Sequence, residues 1–195
     1  MQTFANRDTH HITPLANRRL LDLGIVVGGS LFMAVCAHVS IPLWFTPVPI
    51  TLQTFGVMLL ALTLGGWRAA ATLVLYLIEG ASGLPVFNPH GSGGIAQLIG
   101  PTGGFLIAYP FAALAGGLIA HDLLQRSRLL AFSAGVLATE FLIFLFGATW
   151  LGVLSHQPAR AILLAAVLPF IPGEILKGAA AVALALRKSM RSVQA

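Results

Sequence analysis

The stretch PFIPGEILK, residues 169–177, places an acid and an amine inside a long apolar run. That run, residues 161–186, is long enough to span a bilayer. Two ionised groups near the centre of a span cost roughly 5–7 kcal/mol unless they satisfy each other or a ligand satisfies them. Glu174 and Lys177 are three residues apart, so they share one face of a helix. The stretch predicts either a self-satisfied ion pair or a site for a polar small molecule.

The composition around this stretch is that of an all-α integral membrane protein. Of 195 residues, 57% are hydrophobic and only 9% are charged, with a mean hydropathy of +0.88. An average soluble domain has about 25% charged residues. We predict six transmembrane helices in one domain, residues 20–187, between an N-terminal tail (1–19) and a C-terminal tail (188–195). The apolar segments are residues 20–41, 41–64, 67–78, 105–120, 129–154 and 161–186, and the second and third are short enough that a re-entrant segment stays open.

The basic residues predict the topology. With cytoplasmic termini, nine of the eleven lie inside, Arg160 lies outside and Lys177 lies within the membrane, as the positive-inside rule requires. The nine are Arg7, Arg18, Arg19, Arg68, Arg126, Arg128, Arg187, Lys188 and Arg191. Because these cations flank apolar segments, they are topology signals and do not indicate nucleic-acid binding. This topology puts the loops at residues 41–55 and 80–104 outside, at the same end of the bundle.

Both outer loops have a composition suited to a ligand site. In IPLWFTPVPITLQTF, residues 41–55, prolines prevent a regular helix, Trp44 and Phe45 suit a membrane interface, and Gln53 begins the next span between two threonines. Residues 80–104 are rich in glycine, which lets backbone amides such as that of Gly91 approach a ligand. Apolar residues spread through this second loop predict a packed lid.

Small residues four apart mark the first segment, which allows a second helix to approach closely. They serve either packing within the chain or docking of a partner membrane protein. The residues concerned are Gly24, Gly28, Ser30 and Ala34.

Other function classes have little support in the sequence. GASG, residues 80–83, resembles an intramembrane serine protease motif, but His38 and His90, the histidines that could reach Ser82 as a base, lack an Asp or Asn to orient them. The histidines lack metal-ligand spacing, and no phosphate-binding Gly-x-x-x-x-Gly-Lys is present, so ATP hydrolysis is expected only on partner subunits. The lone Cys36 excludes an internal disulfide. Glu140, mid-span, is either a neutral packing residue or a second partner for Lys177.

Five motifs in order together resemble the BioY family, the biotin-specific substrate-binding (S) component of energy-coupling factor (ECF) transporters. They are PVPITLQTF (47–55), GLPVF (83–87), GSGG (91–94), GPTGG (100–104) and FIPGEILK (170–177). The resemblance implies a six-helix S-component bundle in the bacterial cytoplasmic membrane, no cofactor other than the ligand biotin, and partners that are a membrane T component and ATPase subunits. It also implies that the small-residue face of the first segment contacts the T component.

Biotin suits the polar residues of this chain. Its ureido ring has two N–H donors and a carbonyl, so Glu174 can accept from the ring while Lys177 donates to the ureido carbonyl or to the carboxylate. Gln53 and Asn88 supply neutral amides, and the aromatic side chains of Trp44, Phe45 and Phe87 cover the thioether ring. The alternatives are an S component for another vitamin and a transporter coupled to protons through Glu140, Glu174 and Lys177.

Overall fold

The protein folds as a bundle of helices joined by short connections at one end and longer loops at the other. The computed structural model describes residues 15–194, and the side chains of residues 19–191. In chain order the elements are α1 (Leu15–His38), β1 (Ser40–Ile41), β2 (Ile50–Thr51), α2 (Gln53–Leu64), α3 (Gly66–Ala81), α4 (Gly94–Ile99), α5 (Gly103–Leu123), α6 (Arg128–Ser155), α7 (Ala159–Ala166) and α8 (Ile171–Gln194).

The predicted α-helical membrane bundle is confirmed. Within the described residues, three helices are individually long and apolar enough to cross a membrane, namely α1, α5 and α6, and the bent pair α7 and α8 makes a fourth span. The helices α2 and α3, with 12 and 16 residues, are shorter than the usual span. These elements match the six predicted segments one to one.

Helix α5 is the centre of the bundle. Two thirds of its apolar window, 67%, is buried within the chain, against 28% for α1 and 33% for α6, which therefore leave most of their surface outside the packing of this chain. Glycines bring α5 close to its neighbours: a Cβ at Gly116 would clash with Thr139 of α6, and one at Gly66 would lie 2.5 Å from the Leu114 carbonyl oxygen. The small residues thus set the spacing of the bundle.

The sixth predicted segment is one bent span instead of a continuous helix. Helix α7 ends at Ala166, a turn follows, and α8 starts at Ile171 at an angle of 51°. Pro169 lies in the turn, where it disfavours helical geometry in the residue before it, and Pro172 lies in the first turn of α8, where its missing N–H costs no hydrogen bond. The break places Glu174 in the first turn of α8, a position favourable to an acid.

A short antiparallel strand pair is an addition to the predicted all-α fold. Ser40 pairs with Thr51 and Ile41 with Ile50, which closes the proline-rich loop between them into a hairpin. The loop at residues 42–49 then meets the glycine-rich segment after α3, with Pro47 and Gly91 lining one shared hollow. The two loops therefore lie at the same end of the bundle, as predicted.

Helical structure extends into both predicted tails. Helix α1 begins at Leu15 and α8 continues to Gln194. Residues 1–14 and 195 lie outside the described part of the chain, and so do the side chains of Arg7 and Arg18 that entered the topology prediction.

Candidate ligand-binding site

A cavity lies under the two loops, between α2, α5, α6 and the start of α8. It contains about 540 Å³ of empty space, including the part open to solvent. Its walls are mainly apolar, with a few buried polar groups. The lining residues are Val48, Pro49, Thr51, Gln53, Thr54, Asn88, Gln97, Thr102, Phe105, Leu106, Tyr109, Ile143, Phe144, Phe170 and Glu174.

The charged wall of this cavity consists of Thr51, Thr54, Glu174 and Lys177. The Lys177 Nζ atom lies 2.6 Å from Glu174 Oε1, and the Thr54 hydroxyl donates to Glu174 Oε2 at 2.6 Å. Lys177 also donates to the Thr51 carbonyl oxygen at 2.6 Å and to Thr54 Oγ1 at 3.1 Å. The three N–H donors of the ammonium thus have three acceptors.

The geometry of the charged wall follows from local structure. Glu174 and Lys177 meet because they are one helical turn apart on α8, and the strand pair holds the Thr51 carbonyl against Lys177. The two side chains are only 7% and 12% exposed. Glu174 lines the cavity and Lys177 lies behind it, so the ammonium holds the carboxylate in place from outside the cavity.

Gln53 connects the cavity to the lid. Its side-chain amide donates to the Tyr76 hydroxyl at 2.9 Å, and that hydroxyl donates to the Val86 carbonyl oxygen at 3.1 Å. The chain of hydrogen bonds joins α2, α3 and the segment after α3. Because Gln53 is only 4% exposed, the orientation of its amide is fixed within the cavity wall.

Two further buried amides, Asn88 and Gln97, face the cavity from the glycine-rich segment. Asn88 Oδ1 accepts from the His90 backbone N–H at 3.0 Å, and Gln97 Oε1 accepts from the Gly93 N–H at 3.1 Å. A Cβ at Gly91 would lie 2.5 Å from Gln97 Oε1. Gly91 therefore makes room for the Gln97 amide. The sequence did not indicate Gln97 as a site residue.

The aromatic residues chosen from the sequence lie away from the cavity lining. Trp44 is 96% exposed and Phe45 is 45% exposed on the proline-rich loop. Phe87 is buried, but its ring packs edge-on against the Tyr76 ring, with 5.3 Å between the ring centroids, and it lies beneath Gly80. The aromatic rings that do line the cavity come from α5, α6 and the turn before α8, namely Phe105, Tyr109, Phe144 and Phe170.

Some of these missed residues left a signal in the sequence. Phe105 and Tyr109 are four residues apart on α5, so they share a helix face, but an aromatic pair of this kind in a membrane span is more often ordinary packing. Trp150 of α6 gave no signal, although its indole N–H donates to the Gly100 carbonyl oxygen at 2.9 Å. That bond fastens the glycine-rich segment to α6.

The small-residue face of α1 is divided in two. A Cβ added at Gly24 or Gly28 would meet no atom within 4 Å, so both glycines lie on an open surface. Ser30 is fully buried, and its hydroxyl donates to Glu79 Oε2 of α3 at 2.6 Å. Ala34 is half-buried against the core. Ser30 therefore packs within the chain and is not part of an exposed face for a partner.

The remaining candidate chemistry of the sequence is absent from this cavity. Ser82 is exposed and its hydroxyl donates to the Glu79 carbonyl oxygen at 2.7 Å, in the turn that ends α3. Among the described residues, no group of three or more histidine, cysteine or acidic side chains could hold a metal ion.

Comparison with known proteins identifies the fold and the family. The family model described as the BioY family matches residues 8–194. The chain belongs to the BioY family. The crystal structure, at 2.1 Å, of the S-component for biotin from an ECF-type ABC transporter matches with a TM-score of 0.80 and 29% sequence identity, covering 88% of this chain and 93% of that one.

Curated relatives in the BioY family cover most of the chain. The probable biotin transporter BioY of Pyrococcus horikoshii is 40% identical over 161 residues, which are 81% of this chain and 91% of that protein. The biotin transporter BioY of Thermotoga maritima is 34% identical over 177 residues, which are 91% of this chain and 99% of that protein. Most of the chain therefore corresponds to these relatives.

Proposed function

We propose that this chain binds biotin and acts as the substrate-binding S component of an ECF-type transporter. The observation that carries the proposal is the buried Glu174 carboxylate on the wall of an otherwise largely apolar cavity, in a chain of the BioY family. The chain is a transport subunit and not an enzyme. Biotin needs a site of this kind because it combines an apolar thioether ring with polar groups at both ends.

Glu174 is suited to the ureido ring. A carboxylate has about four acceptor positions, and Lys177 and Thr54 occupy two of those of Glu174. A remaining position can accept a ureido N–H group. The amides of Gln53 and Asn88, together with Gln97, can pair with the ureido carbonyl or the valerate carboxylate.

Lys177 has a different role from a direct ligand in the arrangement seen here. Its three donors are all used within the chain, so it would have to release the Thr51, Thr54 or Glu174 acceptor to reach biotin. We propose that it stabilises the ionised Glu174 and keeps its carboxylate aimed at the cavity. The aromatic residues Phe105, Tyr109, Phe144 and Phe170 would then pack against the thioether ring.

The proposal includes partner subunits and an orientation. The chain has no phosphate-binding lysine loop, and we propose that ATPase subunits coupled through a membrane T component supply the energy. Gly24 and Gly28 on the open face of α1 are proposed to contact the T component. Both termini are proposed to lie on the cytoplasmic side of the bacterial inner membrane, with the cavity and its two loops outside.

Calorimetry on the purified chain in detergent tests the ligand assignment. Biotin, riboflavin and thiamine are titrated side by side, and saturable one-to-one binding is expected for biotin alone. If riboflavin or thiamine binds in preference to biotin, the proposed ligand is wrong, but the S-component assignment stands. No binding of biotin would refute the proposal.

Uptake measurements distinguish ATP-driven import from proton coupling. Cells that express the chain with its partner subunits should keep accumulating biotin when the proton gradient is collapsed at constant ATP. They should stop when ATP is depleted. The reverse pattern would favour a proton-coupled transporter.

A further inference from the structure

Glu140, near the middle of α6, is a buried acid without a hydrogen-bond donor. Both of its carboxyl oxygens are shielded from solvent, and neither has a donor among the described residues. The side chain lines a groove between α6 and α8 together with Glu174, the acid that also lines the ligand cavity. An unpartnered ionised carboxylate at this depth would carry a large free-energy cost.

Two of the helices packed against α6 contribute ionisable groups that face Glu140. Helix α8 contributes Glu174 and Lys177, and α5 contributes Tyr109. The sequence of α2 contains no ionisable residue, and the only one in α7 is Arg160, which is exposed at the start of that helix. Glu140 and Glu174 line the same groove, which makes Glu174 the neighbouring acid on α8.

Two ionised carboxylates can only accept hydrogen bonds, so neither can donate one to the other. This explains why Glu140 has Glu174 as a neighbour but no hydrogen-bond donor. A proton on Glu140 would turn it into a donor to Glu174, because a protonated carboxyl carries one O–H. Glu174 can take this bond, since Lys177 and Thr54 leave two of its acceptor positions open. One of these would serve Glu140 and the other a ligand N–H.

The charge balance leads to the same arrangement. Two ionised acids and one ammonium would leave the buried group Glu140, Glu174 and Lys177 with one net negative charge. A single proton makes the group neutral, which a low-dielectric environment favours. The Glu140 oxygens are shielded from solvent within the described residues, so bulk water does not supply the missing hydrogen bond.

We propose that Glu140 holds a proton and donates it in a hydrogen bond to Glu174, and that it thereby positions the Glu174 carboxylate for the ligand. Glu140 is a positioning residue, acting through Glu174, and links ligand affinity to pH. The effect on biotin affinity rests on the proposed function, but the protonated state of Glu140 does not.

Infrared spectroscopy tests the proton without any ligand. The full chain and its Glu140→Gln variant are compared in detergent at neutral pH, in water and in heavy water. The difference spectrum should contain the carbonyl stretch of a protonated carboxylic acid, shifted in heavy water and missing from the variant. Identical spectra in this region would overturn the proposal even if biotin binds.

Biotin affinity then tests the positioning role. Glu140→Gln keeps a neutral N–H donor, so its affinity should stay within about twofold of the original chain, whereas Glu140→Leu should lose about tenfold or more. A merely structural carboxyl would make the two variants equally weak. Equal losses would therefore contradict the proposal, and if the leucine variant does not fold, the pH comparison below decides.

The pH profile separates Glu140 from its neighbours. In the original chain, loss of the Glu140 proton at alkaline pH places a second negative charge beside Glu174, so affinity should fall. Glu140→Gln retains Glu174, Lys177 and Tyr109 but should lack this fall. Matching profiles would refute the role of Glu140. If the original chain does not bind biotin at all, the proposed function fails and the infrared result still decides the proton.

Discussion

The charged wall and the loop cover of the cavity differ in how firmly they are held. In the charged wall, each N–H donor of Lys177 has an acceptor, and Glu174 is 7% exposed. In the loop cover, which comprises residues 42–49 and 82–102, Trp44 and Ile95 are 96% and 62% exposed. Under the proposed function, the difference means that the recognition groups are pre-organised on the wall, whereas the cover is the part able to move when a ligand enters.

The loop cover is attached at a few points. The Trp150 indole N–H donates a hydrogen bond to the Gly100 carbonyl oxygen, and the Tyr76 hydroxyl donates one to the Val86 carbonyl oxygen. Phe87 inserts beneath Gly80, where no larger residue than glycine fits. These contacts fix where the cover lies against the bundle without burying most of its apolar side chains.

The largest effect among the polar contacts should come from breaking the charged wall. Lys177→Ala leaves the buried Glu174 without its counter-ion, which should cost about 3–5 kcal/mol of unfolding free energy. Thermal unfolding in detergent, followed by circular dichroism, measures the loss. Lys188→Ala is the matched control, because Lys188 donates to the Thr63 carbonyl oxygen at an exposed site. Equal losses for both lysines would contradict the comparison.

A second prediction concerns the inner surface of the loop cover. Gly91→Ala forces the Gln97 amide away from its position, and such overpacking should cost about 1–3 kcal/mol and weaken biotin binding. Calorimetry measures the biotin affinity of the variant, and a thermal unfolding scan measures its stability. Gly28→Ala, in open space on α1, should leave biotin binding unchanged and raise the unfolding free energy by about 0.5–1 kcal/mol, because alanine is the better helix former. A Gly91 variant that behaves like the control would show that Gln97 is not constrained.

The attachment of the loop cover should have a smaller effect. Trp150→Phe keeps an aromatic ring but removes the indole N–H that bonds to Gly100, with an expected cost of about 1 kcal/mol. Faster hydrogen exchange in α4 and the adjoining residues would show the loosened segment. The control is Trp67→Phe, since Trp67 is 71% exposed. Unchanged exchange in α4 would mean that the bond does not hold the cover.

The smallest effect should come from the outer surface of the loop cover. Trp44→Ala removes a side chain that is almost fully exposed, so the unfolding free energy should change by less than about 0.5 kcal/mol. Phe87→Ala, on the buried side of the same cover, should cost about 3–5 kcal/mol. Thermal unfolding of both variants checks the contrast. Equal destabilisation would show that Trp44 packs against the protein in solution.

Much of the fold followed from apolar periodicity and charge placement. The six segments and the meeting of the two outer loops were predicted because long apolar runs and flanking cations have few alternative arrangements in a bilayer. The bend between α7 and α8 was missed, although Pro169 and Pro172 were visible, because the apolar run continues through it. The strand pair of two residues each was too short to leave a periodic signal.

The charged residues of the candidate site could be predicted from the sequence. The residues that line the cavity because of its shape could not. Glu174 and Lys177 were noticeable because ionised groups are rare in membrane spans. The sequence did not reveal that Phe105 and Tyr109 line the cavity and that Trp44 does not, because every span is rich in such residues. The position of Gln97 depends on the short helix α4 and its glycine neighbours, which only the folded chain brings together.

The most direct test of the charged wall is the dissociation constant of biotin for the original chain and for Glu174→Ala, measured by calorimetry in the same detergent. In the proposed site this side chain supplies charge-assisted hydrogen bonds to biotin, so its removal should weaken binding by about tenfold or more. The variant has to remain folded, as judged by circular dichroism. Equal affinity of a folded variant and the original chain would contradict the assignment of Glu174 to the ligand.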